Sequence, residues 1–383
     1  MIYLDYNSTT PIDPRVVETM LPYYREHYAN PSSIHRAGQL VRRAVEEARE
    51  RVGQTFNVDA KEVYFTSGGT ESDNLAIKGV GFAQDKRKKI ITSSIEHHAV
   101  LTACEYMAKF GYEIVKVPVD EFGIIDLEYL EDVCDENTLI VSIMHANNEV
   151  GTIEPIAEAA KITHNHGAIF HTDAVQTAGK IPIDVKRMGI DMLSLSGHKF
   201  YGPKGVGLLI ARKGIRFDPL SHGGHHERKK RAGTENVPGI IGLTRALELA
   251  ISEMAEEEKR VRRLRDKLWE GVSGQVDDLK LNGHPEKRLV NTLNFSVRYV
   301  EGESLLLNLD LHGICVSSGS ACTSGSLEPS HVLLAMGIPH EIAHGSLRFS
   351  LGRFTTEEEI DKVIEIFPGI VKKLRAISPL YKH

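Results

Sequence analysis

Short β-branched runs alternate with longer amphipathic stretches through the first two thirds of the chain, which is the pattern of a layered α/β protein. The apolar runs at 63–66, 90–93, 113–117, 139–145, 168–173, 192–196 and 206–211 predict strands covered on both faces. Between them, 39–56, 74–84, 99–110 and 156–166 carry apolar residues at helical spacing and are long enough to cross over a sheet. Consecutive strands can therefore run parallel. The stretch from 243 to about 269 places acidic residues ahead of basic ones at i,i+4 spacing and predicts one helix joining two domains. After it, strands at 291–297 and 347–350 and helices near 304–311, 331–336 and 357–373 predict a smaller α+β unit. We divide the chain into a large α/β domain over 12–255 and a small α+β domain built from 1–11 and 256–383. No repeat of 20 to 50 residues and no low-complexity tract is visible, and 381–383 reads as a frayed end.

At 383 residues, with 41% hydrophobic and 26% charged side chains, the chain has the make-up of an ordinary globular protein. The net charge of −6 argues against nucleic acid as a partner. Four cysteines, Cys104, Cys134, Cys315 and Cys322, form no CxxC pair, so neither a disulfide framework nor a structural zinc site is expected and a reducing cytoplasm fits. The opening MIYLDYNSTTP lacks signal-peptide features, and no apolar run reaches the roughly 18 residues of a membrane span. Eighteen histidines raise the question of a metal. The densest group, His222, His225 and His226, has two adjacent members pointing different ways and no carboxylate set, so it reads as a solvated loop. The following Lys229-Lys230-Arg231 reads as a solvated charge run beside it.

Candidate chemistry sits at predicted strand ends. TSGGTES at 66–72 lies between a strand and a helix, where backbone N–H groups can cradle a phosphate, although alone it is as readily a capped glycine turn. Asp173 ends another strand, the edge where open α/β sheets bind ligands. Lys199, in SGHKFYGPKG at 196–205, follows a third and offers an amine that can form an imine, while Lys204 reads as solvated. Pyridoxal phosphate needs an amine, an acid for its pyridine nitrogen and a phosphate cup, and Lys199, Asp173 and the Gly69-Thr70 turn supply the three. Cys322 lies in SSGSACTSGS at 317–326, a run of small polar residues that suits an exposed, reactive thiol, whereas Cys315 has apolar neighbours and reads as buried. A thiol of ordinary pKa, about 8.5, is only a few per cent ionised at neutral pH, so Cys322 needs an activating group that the sequence does not identify.

These motifs, with LDYNSTTP from position 4, NPSSIHRAG from 30, EHHAV from 96, NNEVGT from 147, HTDAVQTAGK from 171, RAGTENVPGI from 231 and SLRFSLGR from 346, resemble the cysteine desulfurases of the NifS/IscS type. The resemblance covers nearly the whole chain and implies the fold-type I, aspartate-aminotransferase-like architecture of pyridoxal-phosphate enzymes: a seven-stranded, mostly parallel sheet with a smaller α+β domain. It implies a Schiff base on Lys199, which also serves as proton-transfer base, with Asp173 at the ring nitrogen, His97 on the ring face and Gln176 at the ring hydroxyl. The phosphate would be held by Gly69, Thr70, Ser196 and His198, with Thr234 arriving from a second subunit of a homodimer. Asn148, beside the cofactor, and Arg348 would take the substrate carboxylate. Cys322 would accept sulfur from L-cysteine as a persulfide, releasing alanine, and pass it to an IscU-like iron–sulfur scaffold in the cytoplasm. The same cysteine is a candidate ligand to a [2Fe-2S] cluster shared with that scaffold. His98 and His145 read as core or lining residues, and His225 stands where the family segment is richer in glycine. Open alternatives are a selenocysteine lyase or aminotransferase, a cofactor-free structural partner and, more remotely, a metal-dependent hydrolase.

Overall fold

The computed structural model describes residues 1–83, 86–318, 329–379 and 381. Its strands are β1 (Ile2–Tyr3), β2 (Val63–Thr66), β3 (Lys89–Ser93), β4 (Glu113–Val117), β5 (Thr138–Ser142), β6 (Ile169–Asp173), β7 (Met192–Ser196), β8 (Gly207–Ala211), β9 (Leu279–Asn282), β10 (Thr292–Val297), β11 (Ile314–Cys315) and β12 (Ser346–Ser350). The helices are α1 (Pro14–Arg25), α2 (Arg36–Phe56), α3 (Gly69–Ala83), α4 (His98–Ala108), α5 (Leu127–Val133), α6 (Ile156–Asn165), α7 (Val237–Ser273), α8 (Gly302–Leu311), α9 (His331–Ala335), α10 (His340–Ala343) and α11 (Glu357–Ile377).

The central sheet has seven strands in the order β2-β8-β7-β6-β5-β3-β4, parallel except for β8, which runs against both neighbours. Successive side chains of a strand point to opposite faces, and here both faces are apolar. Ile91, Val141, Phe170, Leu193 and Leu208 enter one core with α1, α2, α6 and the first part of α7. Their neighbours Ile90, Ile140, Met192 and Leu209 enter a second core with α3 and α4. The result is a three-layer sandwich in which β2, β3, β5, β6 and β7 all end on one edge.

A separate antiparallel sheet, β12-β10-β9, is covered by α8, α11 and the second part of α7. Its alternation turns Leu347 and Phe349 into that core and Arg348 to the opposite face. Helix α7 is longer at both ends than the apolar pattern predicts, and it contributes Leu243 and Leu247 to one core and Leu264 and Leu268 to another. That double burial holds a 37-residue helix with no cap in its middle.

Several elements differ from the pattern. Helix α3 starts at Gly69 rather than 74, because its first turn is polar and carries no apolar periodicity. Helix α1 has no predicted counterpart, although Asp13 caps it by accepting from Arg15 N at 2.9 Å and Pro14 opens it. Cys315 is half-buried rather than core, since β11 pairs only with the two-residue β1. Among the described residues no helix is long and apolar enough to cross a membrane.

Candidate active site

The edge where the parallel strands end opens into a cavity between the central sheet and β12. Gly69, Thr70, His97, Asn148, Asp173, Gln176, Ser196, His198, Lys199 and Arg348 all line it. All lie at a strand end of the central sheet or in the segment that follows one, except Arg348, which reaches in from β12. Thr234 is exposed and is not among the lining residues. Cys322 lies outside the described residues, but both flanks of its segment reach the cavity wall. Ser317 and Arg348 exchange backbone hydrogen bonds at 3.1 and 2.7 Å, and Ser330 Oγ donates to Glu149 Oε2 at 2.5 Å, next to Asn148.

The turn after β2 is shaped by close approach. A Cβ at Gly207 would stand 2.5 Å from Leu195 O and 2.6 Å from Gly68 Cα, so β8 passes against the turn only as glycine. A Cβ at Gly69 would meet Val175 Cγ2 at 2.7 Å and fill the space facing Ser196. Thr66 and Ser72 share a 2.8 Å hydrogen bond across the turn. What remains is the N-terminus of a 15-residue helix, whose first amides have no intrahelical partner, opening on the cavity.

Asp173 is buried at the end of β6 and accepts from Val175 N at 2.8 Å. Burial pushes its carboxyl up to about 6, against the opposing pull of the Val175 amide and of Lys199. Asp73 on α3, also buried, is raised well above the ordinary carboxylate range by burial and then by the Asp173 charge, and its Oδ1 lies 3.7 Å from His171 Nε2. Lys199 Nζ donates to Asn7 O at 2.5 Å and Ser8 O at 2.8 Å. His97 caps α4, accepting from Ala99 N at its Nδ1, so the ring proton sits on Nε2. Burial, then the Lys199 charge, lowers His97 to about 4 and keeps it neutral. His198, likewise lowered to about 4, is held by Thr9 Oγ1 at 3.1 Å.

Gln176 donates to Asn7 O at 3.0 Å and accepts from Lys180 Nζ at 3.2 Å. The Arg348 fork is largely engaged within the chain: one terminal nitrogen meets Asp5 at 2.7 Å and Ser8 Oγ at 3.0 Å, and the other meets Asn148 O at 3.0 Å. Its buried Nε has no partner among the described residues. His145 is core, lowered to about 4 by burial, and His98 packs on His331 at 4.9 Å between ring centroids. Among the described residues no group of three or more His, Cys, Asp or Glu is arranged to hold a metal.

Sequence reasoning did not single out Asn7, Ser8, Asp73 or Met144, which also line the cavity. The signal for the first three was their place inside LDYNSTTP and TSGGTESDN. Glu96, next to His97, was also passed over. Its Oε1 accepts from Ser93 Oγ and Met144 N, both at 2.7 Å, and its buried Oε2 has no hydrogen-bond partner among the described residues. Burial lifts this carboxyl from an ordinary 4.5 to about 8. The fold therefore binds a proton that the unfolded chain has released, so Glu96 makes stability fall as pH rises from 4.5 through 8. Glu96→Gln keeps the two accepting contacts and removes the titration. In urea unfolding at pH 5.5 and 8.5 the variant is expected to gain on the wild type by on the order of 1–3 kcal/mol over that interval. A constant difference between the two proteins would show that Glu96 is ionised throughout.

The family described as Aminotransferase class-V matches residues 2–363. Cysteine desulfurase IscS of Methanosarcina thermophila is 54% identical over 380 residues, covering 99% of this chain and 94% of that protein. Cysteine desulfurase IscS of Dictyoglomus turgidum is 54% identical over 383 residues, covering 100% and 97%. Among solved structures, a NifS-like protein superposes with a TM-score of 0.92 at 42% identity, covering 97% of this chain and 100% of that one. A NifS-like protein from Rickettsia africae gives 0.88 at 34% identity, covering 97% and 99%.

Proposed function

Because this chain belongs to the class-V aminotransferases, we infer that it is a pyridoxal-phosphate-dependent cysteine desulfurase that takes sulfur from L-cysteine for iron–sulfur cluster assembly. The observation that carries the reading is one cavity shared by an amine, a buried acid and a glycine-lined helix N-terminus. The residues fit the cofactor. The space at Gly69 that a Cβ would fill accepts a phosphate, and Asp173, desolvated and only partly offset by Lys199, suits a protonated ring nitrogen. Bound pyridoxal phosphate supplies an electron-accepting ring, which stabilises the charge left when the substrate Cα proton departs.

The chain's own residues do the rest. Lys199 Nζ takes the Cα proton, and the carbonyls of Asn7 and Ser8 hold its ammonium form in place. Neutral His97 covers the ring face, Gln176 orients the ring hydroxyl, and Thr70, Ser196 and His198 hold the phosphate with Thr234 of a second copy. Asn148 and Arg348 orient the substrate carboxylate, which shares the Arg348 fork with Asp5, Ser8 and the Asn148 carbonyl. Cys322 Sγ attacks the substrate sulfur; the S–S bond forms, the substrate C–S bond breaks with its electron pair left on carbon, and alanine leaves after protonation. The persulfide then passes to an acceptor, which we assign as an IscU-like scaffold, in a cytoplasmic homodimer whose large domain spans 12–255.

Cofactor-loaded protein incubated with L-cysteine and no reductant is expected to gain one sulfur, about 32 Da, on the Cys322 peptide, with alanine formed in the same tube. An unmodified Cys322 with an amino group transferred to a keto acid would replace this reading by an aminotransferase.

A further inference from the structure

Glu71 occupies the first turn of α3 and reaches back so that its Oε2 accepts from Ser67 N at 2.7 Å. A carboxylate there stabilises the helix start. It also places a negative charge on the same helix end where Gly69 and Thr70 face the cavity, and that charge opposes a phosphate dianion. Arg231 answers it, with Nε donating to Glu71 Oε1 at 3.0 Å. Burial works against the charged form of Glu71, yet Ser67 and Arg231 hold the carboxyl below its ordinary range.

The segment that delivers Arg231 is held in a strained form. Glu227, Arg228 and Lys229 have φ of 43°, 54° and 68°, three successive non-glycine residues in the left-handed region. Each such residue costs energy, so the surroundings must fix the turn. Arg49 does so with a buried fork, 2.8 Å from each Glu227 carboxylate oxygen, and Glu227 also accepts from Phe65 N at 2.9 Å. The Arg228 guanidinium lies 4.3 Å from the Tyr64 ring and Lys230 lies 4.5 Å from that of Phe217. Of the basic run expected to be solvated, Lys229 is exposed while Lys230 and Arg231 are held by Phe217 and Glu71, and the preceding Glu227 and Arg228 pin the turn along β2, the strand that leads into the phosphate turn.

We propose that Arg231, carried on this strained turn, is a positioning residue that neutralises Glu71 and so allows the α3 N-terminus to accept the cofactor phosphate. The proposal rests on the reading of that turn as the phosphate cup. Its test compares full-length wild type and variants, freed of cofactor, for affinity toward pyridoxal phosphate and toward pyridoxal, which lacks the phosphate. Arg231→Gln is expected to weaken pyridoxal phosphate about tenfold while leaving pyridoxal within about twofold. Adding Glu71→Gln to that variant is expected to restore most of the loss. Glu71→Gln alone, which keeps the contact to Ser67, is expected to bind pyridoxal phosphate at least as tightly as wild type. Equal preference for the phosphate in wild type and Arg231→Gln, or weaker binding in Glu71→Gln, overturns the proposal while the phosphate cup stands. A wild type that does not distinguish the two ligands overturns the cup itself, and the proposal with it.

Discussion

Lys199→Ala is expected to lower alanine formation from L-cysteine by roughly 10²–10⁴-fold, the range that a positioned proton-transfer group contributes. Two functions go with the side chain: the amine that anchors the cofactor and the base at the substrate Cα. The surroundings offer one competitor. Lys180 is half-buried, its amine lowered to about 7 by desolvation and then by Lys199 and Arg348, and its Nζ sits 3.2 Å from Gln176 Oε1. An amine that is partly neutral at pH 7 is a competent nucleophile, so the assignment needs a readout other than rate. Borohydride reduction of the loaded wild type followed by peptide mass spectrometry is expected to find the pyridoxyl group on the peptide containing Lys199. In Lys199→Ala it is expected on no lysine. A tag on Lys180 in the wild type, or more than a tenth of wild-type activity in the variant, would transfer the role away from Lys199.

The contrast between Lys199 and Lys180 illustrates which parts of the site the sequence reveals. Lys199, Asp173 and Gly69-Thr70 were legible because each directly follows an apolar run, and strand ends in parallel sheets share one edge. The walls brought in from far along the chain were not. Lys199 meets carbonyls 192 and 191 residues away, at Asn7 and Ser8, and Arg348 meets Asp5 across 343. Nothing local in DYNS signals that its backbone oxygens face a lysine amine. Burial hides likewise: Glu96 and Asp73 read as ordinary acids in helix-start sequences, and only the packing of β3, β5 and α3 raises their carboxyls above the ordinary range. Arg348 was found by its motif, but its engagement by Asp5, Ser8 and Asn148 is a property of the fold, and a substrate carboxylate must share it. The Glu227–Lys229 turn lay beyond prediction altogether, because three left-handed residues without glycine contradict local preference and exist only through Arg49.

Asp173→Asn is expected to lower turnover roughly 10²–10³-fold, as removal of one preorganised charge from a water-poor site does. The substitution preserves shape and leaves an oxygen to accept from Val175 N, now made at 2.8 Å, so the loss reports charge rather than packing. Linkage supplies the independent readout. In the chain without a cationic partner, burial raises Asp173 from an ordinary 3.8 to about 6. A protonated ring nitrogen prefers the ionised carboxylate, so below pH 6 cofactor binding must expel a proton and weakens as pH falls; above it that requirement vanishes. Pyridoxal phosphate carries its own titrations into both proteins, and they cancel in a ratio. The affinity advantage of wild type over Asp173→Asn is therefore expected to be largest near pH 7.5 and to shrink toward pH 5. An advantage that does not change with pH would mean that the carboxylate holds its charge without the ring.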